Sequence, residues 1–272
     1  EKMISYEAAP GAKVIVKGSA VLKEGWRPST GWSLGSMGDP GAPAQSAKPP
    51  QVWEMRLDPR LFAEFGYNPF ALVNVLHNRF WINYARHNMA PYFRRRGLVF
   101  VDGKPLEQVE LVGGLVGETT RSLNFFQEAH WSPIFKEIAG DAGRLWIEHN
   151  GLTLHVRLPD DSSPAQHETE ATVLEQVFTP AQRHLGYIRV KGITFQHAGN
   201  GFPVPQRGMV STNRGHHFIF EDNTFEWANS VCLDIGNEDW SASPPPQMVG
   251  GHVVRGNTFR YCGIEGVGGT GT

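Results

Sequence analysis

A threefold repeat in the last third of the sequence constrains the fold more than any other feature. Its copies read IRVKGITFQHAG, FIFEDNTFEWAN and HVVRGNTFRYCG, and their aligned phenylalanines, Phe195, Phe225 and Phe259, lie 30 and 34 residues apart. A unit of this size cannot bury its apolar face alone, so consecutive copies stack on one another. The repeat therefore predicts a solenoid, which is a chain wound into successive coils.

Each copy has the pattern of β structure rather than of helix. Apolar and polar residues alternate in short segments that Gly, Asn or Asp interrupts. Asn223 and Asn257 occupy equivalent positions two residues before the phenylalanine, and we predict that they stack between coils and stabilise turns. Unequal periods are typical of solenoids whose insertions go into loops on one face. We predict an all-β chain built on a right-handed parallel β-helix.

The repeat is absent from a long central part of the chain. Residues 1–26 alternate as strands do around a Pro10-Gly11 turn and are predicted to form an early part of the β-helix. Residues 27–182 are predicted to be an inserted domain, with a Gly- and Pro-rich loop at 30–50. Residues 183–272 are predicted to return to the β-helix.

Hairpin signals dominate the inserted domain. Residues 144–158 contain two alternating segments around Asn150-Gly151, which is among the strongest short hairpin signals. Residues 98–109 repeat that pattern around Asp102-Gly103, and residues 171–178 read as another strand. Several hairpins with alternating faces predict a β-sandwich.

The charge balance argues against a nucleic-acid partner. The chain has 25 basic and 27 acidic residues, a net charge of −2, and no basic face stands out. No apolar run reaches the roughly 18 residues of a membrane span, and we expect no membrane partner. The chain lacks a signal peptide, yet it opens in a strand and stops directly after a repeat. We expect it to be an internal portion of a longer protein, so its compartment is undetermined.

The two cysteines fall in successive copies of the repeat. Cys232 and Cys262 could form a disulfide, but two buried thiols in the stacked core are the favoured interpretation. No spacing of Cys and His fits zinc, and the scattered acids form no calcium loop, so no metal or other cofactor is expected.

Two carboxylates follow the second and third copies of the repeat. With Leu233 facing inward, the two-residue period of a strand turns Asp234 outward, and Glu265 is outward on the next coil if Ile264 faces inward. Adjacent strands lie about 4.8 Å apart. Stacked carboxylates would therefore approach the roughly 5–5.5 Å of a retaining glycosidase, and their mutual repulsion would keep one protonated.

Residue counting does not decide which acidic residue is the partner of Asp234. Asp234 is nine residues after Phe225, whereas Glu265 is six after Phe259, so stacking them requires a shorter turn in the third coil. Glu238 and Asp239, in the loop after Asp234, are rival acids. An isolated carboxylate on such a strand is more often a solvated or turn-forming residue.

Several phrases resemble the β-xylosidases of glycoside hydrolase family 120. They are ISYEAAPGAKVIVKGS, VKGITFQHAGN, STNRGHHFIFEDNTFEWANSVCLDIGN and HVVRGNTFRYCGIEG. The resemblance implies a pectate-lyase-like, right-handed parallel β-helix with an inserted β-sandwich, and a retaining mechanism. It implies that Asp234 is the nucleophile and Glu265 the acid/base.

The resulting hypothesis is an exo-acting β-xylosidase whose partner is an oligosaccharide, as a monomer or a homo-oligomer. Arg214, His216, Glu238 and Trp240 are candidate substrate-binding residues, although capping, solvated or packing roles are equally ordinary for them. Three alternatives stay open: another β-helix glycosidase acting on fucosides or xylan, a polysaccharide lyase, and a non-catalytic carbohydrate-binding solenoid.

Overall fold

The computed structural model describes residues 2–30, 51–74, 95–108, 143–201, 207–236 and 250–263. These residues form β-strands and loops, with short 3-10 helices at Pro59–Phe62 and Pro164–Gln166. Among them, no helix is long and apolar enough to cross a membrane. The strands are β1 (Ile4–Glu7), β2 (Val14–Lys17), β3 (Ser19–Val21), β4 (Arg27–Pro28), β5 (Trp53–Arg56), β6 (Val99–Val101), β7 (Lys104–Pro105), β8 (Glu107–Gln108), β9 (Arg144–Ile147), β10 (Thr153–Arg157), β11 (Thr169–Thr172), β12 (Ile188–Lys191), β13 (Ile193–Ala198), β14 (Val210–Ser211), β15 (Ile219–Glu221), β16 (Thr224–Ala228), β17 (Leu233–Asp234), β18 (Val253–Arg255) and β19 (Thr258–Cys262).

The chain divides into two compact units. The first takes in Glu1–Ser19, Asn74–Leu76 and Thr172–Thr272, and the second takes in Ala20–Val73 and His77–Ala171. The division into residues 1–26, 27–182 and 183–272 stays a prediction.

The first unit consists of parallel sheets that stack the copies of the repeat. Its first sheet has the order β1-β12-β15-β18, its second sheet β2-β13-β16-β19, and its third sheet pairs β14 with β17. In the second sheet Phe195 lies opposite Phe225, which lies opposite Phe259. Their rings stack at centroid distances of 5.5 and 4.8 Å. The predicted stacking of the copies is confirmed.

The N-terminal strands belong to the same stack. Ile4 of β1 lies opposite Ile188, and Val16 of β2 lies opposite Phe195, both in parallel register. After the second unit, the chain returns to the third sheet of the first unit at Phe178. Phe178 forms a parallel bridge with Val210 of β14. One coil of the solenoid is therefore interrupted in sequence by the second unit.

Buried asparagines tie the coils together at their turns. The Asn223 side chain accepts a hydrogen bond from the Ile193 N–H (3.0 Å) and donates one to the Val190 carbonyl (2.9 Å). One coil later, Asn257 repeats the pattern by accepting from the Asn223 N–H and donating to the Phe220 carbonyl, both at 2.9 Å. The predicted asparagine stack is confirmed, because each amide satisfies backbone groups of the coil before it.

The second unit contains both predicted hairpins. Antiparallel β9 and β10 flank the Asn150-Gly151 turn, and antiparallel β6 and β7 flank Asp102-Gly103. Both turn residues of the second hairpin have positive φ, 49° and 76°, as a tight hairpin turn requires. The strands form two sheets, of order β4-β5-β10-β9-β8 and β3-β11-β6-β7.

One predicted strand is shorter than expected. The sequence predicts a single strand over residues 171–178, but β11 ends at Thr172. The next two N–H groups, of Val173 and Leu174, both donate to the Gly18 carbonyl. Two consecutive donors on one acceptor break the alternation of a sheet ladder, so the strand stops there.

The interpretation of the two cysteines as free thiols was wrong. Cys232 and Cys262 form a disulfide, with their Cα atoms 5.6 Å apart. The repeat register aligns Cys262 with Ala228 rather than with Cys232. The chain turns between Ala228 and β17, and this turn brings Cys232 close enough to Cys262 for the disulfide to form.

Candidate functional site

The candidate site is centred on the third sheet, where β17 carries Asp234. Leu233 lies opposite Val210 and Asp234 lies opposite Ser211. Leu233 and Val210 are fully buried in the core of the first unit. Since successive side chains of a strand point to opposite faces, Asp234 points away from that core, and it is half-buried.

The backbone around Asp234 is held on both sides. Its Oδ1 accepts a hydrogen bond from the Gly236 N–H (2.7 Å), and its carbonyl accepts one from the Thr212 N–H (3.0 Å). A Cβ atom on Gly208 would lie 2.5 Å from the Asp234 nitrogen. Only glycine at position 208 permits this close approach of the preceding coil. The Asp234 carboxylate is thus presented in a fixed orientation.

Arg214 and His216 lie on the turn that follows β14. Asn213 and Arg214 have φ values of 47° and 60°, a left-handed pair that reverses the chain. The Asn213 N–H donates to the Ser211 hydroxyl (2.9 Å) and its side chain donates to the Pro180 carbonyl (2.8 Å). The Thr212 N–H, at the start of this turn, donates to the Asp234 carbonyl. The turn and Asp234 therefore lie next to each other in adjacent coils.

His216 belongs to a cluster of aromatic rings on this turn. Its Nδ1 lies 3.0 Å from the Nδ1 of His217, and the His217 ring stacks on Tyr187 at 4.9 Å with an interplanar angle of 6°. The His216 ring occupies the space that a side chain on Gly186 would fill. In this hydrogen bond one Nδ1 donates and the other accepts.

His252 is a component of this neighbourhood that sequence reasoning did not propose. Its Nδ1 accepts a hydrogen bond from the Phe218 N–H (3.2 Å). Burial, and then the nearby charges of His216 and His217, lower the pKa of His252, opposed by its interaction with the Ile235 carbonyl. The signal in the sequence was a histidine at a position that is apolar in the other two copies, as Ile188 and Phe218.

The remaining predicted site residues lie outside the part of the chain that the structure describes. They are Glu238, Asp239, Trp240 and Glu265. Trp227 of β16, seven residues before Asp234, stacks on Tyr261 at 4.0 Å, so one face of its indole packs against the next coil. Within the described part of the chain, no group of three or more His, Cys, Asp or Glu residues has the geometry to hold a metal ion.

Comparison with known proteins gives one informative similarity. No family model matches the chain, and no curated protein matches it. A solved structure of XylC in complex with xylose aligns with a TM-score of 0.61 at 21% sequence identity, covering 86% of this chain and 33% of that chain. The chain therefore spans about one third of the length of XylC. At this identity the likeness establishes a shared fold over the aligned residues.

Proposed function

We propose that this chain is part of a retaining glycoside hydrolase that releases xylose from the non-reducing ends of xylo-oligosaccharides. The observation that carries the proposal is Asp234, a carboxylate held by backbone bonds on an outward face of the third sheet. The fold similarity to a xylose-bound protein supports a sugar as the ligand. In this proposal the first unit is a right-handed parallel β-helix and the second an inserted β-sandwich.

The proposed chemistry is a double displacement. An Asp234 oxygen attacks the anomeric carbon while Glu265 donates a proton to the departing glycosidic oxygen, forming a xylosyl ester on Asp234. Glu265, now ionised, removes a proton from water, which attacks the same carbon and releases Asp234. Two inversions give net retention. The mechanism requires the carboxylates to lie about 5–5.5 Å apart.

Four further side chains are proposed to bind the sugar. Arg214 and His216 lie on the turn bonded to Asp234 through Thr212, and their N–H groups suit sugar hydroxyls. Glu238 is proposed to accept hydrogen bonds from hydroxyl groups, and Trp240 to pack against the apolar face of the sugar ring.

The test uses the full natural protein with an aryl β-xyloside and with xylobiose. We expect hydrolysis by the wild type, with β-xylose as the first product, and a loss of about 10⁴-fold in kcat for Asp234→Ala, since the covalent route is closed. Azide added to Asp234→Ala should yield the α-xylosyl azide, whereas azide added to Glu265→Ala should yield the β-xylosyl azide.

Asp222→Asn provides a matched control. Asp222 is an exposed carboxylate of the same coil, with a side chain 62% exposed, and this variant should retain activity. Unchanged hydrolysis by Asp234→Ala would refute the assignment. Preferential cleavage of fucosides or internal xylan bonds would redirect the substrate, an unsaturated product would indicate a lyase, and sugar binding without turnover would indicate a binding solenoid.

A further inference from the structure

The second unit contains a hydrogen-bonded chain of an aspartate, a histidine and a serine. His167 Nδ1 lies 2.8 Å from Asp102 Oδ2, and His167 Nε2 lies 2.9 Å from the Ser162 hydroxyl. A serine hydrolase uses the same order of atoms, because a carboxylate on Nδ1 orients the imidazole while Nε2 takes the proton of the serine. All three residues belong to the second unit, whereas Asp234 belongs to the first.

Strand pairing brings Asp102 to His167. Antiparallel pairing of β6 with β11 puts Val101 opposite Thr169, so the hairpin turn after β6 faces the residues that precede β11. The Asp102 N–H donates to the Glu168 carbonyl (2.9 Å), and Asp102 Oδ1 accepts from the Glu168 N–H (3.0 Å). The hydrogen bond with His167, and then the one from Glu168, hold the pKa of Asp102 below its ordinary value. The carboxylate is therefore ionised at neutral pH and can orient the imidazole.

A sharp turn between β10 and β11 presents Ser162. The preceding residue, Asp161, has a φ of 60°, and its N–H donates to the Leu158 carbonyl (3.1 Å). The N–H and the hydroxyl of Ser162 both donate to Asp160 Oδ1, at 3.1 and 2.6 Å. The hydroxyl thus has an acceptor on each side. Rotation about its own Cβ–Oγ bond turns the hydrogen from Asp160 to a neutral His167, with no movement of the other atoms.

Another Ser–His pair in the second unit lacks these properties. The Ser29 hydroxyl lies 2.7 Å from His155 Nδ1, and His155 Nε2 lies 2.9 Å from Glu148 Oε1. The two ring nitrogens are therefore used in the reverse order, and His155 is only 2% exposed. The side chains of His167 and Asp102 are 27% and 59% exposed, so a substrate in solution can reach them.

Acyl transfer also needs a donor that stabilises the oxyanion of the tetrahedral intermediate. In the α/β-hydrolases the N–H of the residue after the nucleophile is one such donor. The corresponding residue here is Ser163. Its hydroxyl accepts from the Ala165 N–H (3.3 Å), but its own N–H donates to no acceptor within the part of the chain that the structure describes.

We propose that Ser162 and His167, with Asp102 positioning the imidazole, form a second active site that hydrolyses esters of small carboxylic acids such as acetate. Ser162 Oγ bonds to the carbonyl carbon, and His167 passes the serine proton to the alcohol as the ester C–O bond breaks. Water then attacks the acyl-serine, and its proton returns through His167 to Ser162 as the carboxylic acid leaves. Exposed turns offer little apolar surface to a long acyl chain, which limits the substrate to small acyl groups.

The experiment treats the full natural protein with a fluorophosphonate probe, which an activated serine attacks at phosphorus with loss of fluoride. Tryptic digestion should recover the label in the peptide of residues 158–183, and fragmentation should assign it to Ser162 rather than to Ser163. With p-nitrophenyl acetate, Ser162→Ala should lose about 100-fold in kcat/KM. Asp102→Asn should lose about tenfold in kcat with little change in KM, because it disturbs the orientation of the imidazole and not the binding of the ester.

Ser29→Ala is the matched control, because it removes the other histidine-bonded serine of the unit and leaves the proposed site intact. It should keep wild-type labelling and wild-type ester hydrolysis. Ser162→Ala should hydrolyse the aryl β-xyloside as the wild type does, so this activity and the proposed glycosidase activity can fail separately.

The labelling of the wild type needs no variant to fold, and an unlabelled Ser162 in that protein would overturn the proposal. Hydrolysis of p-nitrophenyl acetate by Ser162→Ala at the wild-type rate would also overturn it. Labelling that is undiminished in both His167→Gln and Asp102→Asn would show that the serine reacts without the other two residues, which contradicts the proposed site.

Discussion

Replacing Asn223 by alanine should destabilise the first unit severely, because its side chain satisfies backbone groups of a neighbouring coil. Asn223 is 1% exposed. Alanine would leave the Ile193 N–H and the Val190 carbonyl without their partners. Each buried orphan costs about 1–3 kcal/mol, so we expect a loss of about 3 kcal/mol in the free energy of unfolding.

The assay is guanidinium unfolding followed by far-ultraviolet circular dichroism and by tryptophan fluorescence, with wild type and variant measured together. Asn257→Ala is the comparison, since Asn257 makes the equivalent bonds but is only half-buried, so water can replace part of what is lost. We expect about half the effect there. A loss below about 1 kcal/mol for Asn223→Ala would refute the reasoning, which rests on the cost of orphaned backbone groups.

Two further predictions concern the surroundings of Asp234. Gly208→Ala should lower kcat/KM about 100-fold, because its Cβ would press on the Asp234 backbone and displace the carboxylate by up to about one ångström. Steady-state kinetics with the xyloside checks this, and wild-type values of kcat/KM would contradict it. The lowered pKa of His252 means that the unfolded chain binds more protons than the folded chain as the pH falls below about 6.5, so stability should be full above that pH and decline below it. His252→Gln, which keeps a hydrogen-bond acceptor for Phe218, should show a shallower decline between pH 7.5 and 5.5 in urea unfolding, and an identical slope would remove His252 as the cause.

The stacked coils were predictable because the evidence for them is local and periodic. Phe195, Phe225 and Phe259 repeat within a recognisable phrase, and a parallel stack puts equal positions opposite one another. The asparagine stack follows from the same register. The hairpin turns were predictable because Asn-Gly and Asp-Gly pairs favour positive φ independently of the surrounding fold.

The disulfide could not be predicted from the same register. Cys232 is seven residues after Phe225 and Cys262 is three residues after Phe259, so the repeat does not align them. Their proximity depends on how the chain turns after Ala228, and the repeated phrase does not determine that turn. The same irregularity explains why residue counting gave no single position for Glu265 relative to Asp234.

His252 was overlooked for a different reason. A histidine at an inward position of one coil reads as a tolerated substitution in a repeat. Burial, and then the proximity of His216 and His217 in the previous coil, lower its pKa. Such a cluster forms across coils and is visible only when the register is known.

The most direct test of the account is to trap the proposed covalent intermediate. A 2-deoxy-2-fluoro-xyloside with a dinitrophenolate leaving group should release one dinitrophenolate per active site and leave the fluorinated sugar as an ester, because the fluorine slows the second displacement more than the first. Proteolysis and mass spectrometry of the full natural protein should place this label on Asp234, in the peptide containing Cys-Leu-Asp-Ile-Gly. A label on another carboxylate, or turnover without a label and with inverted xylose as product, would contradict it.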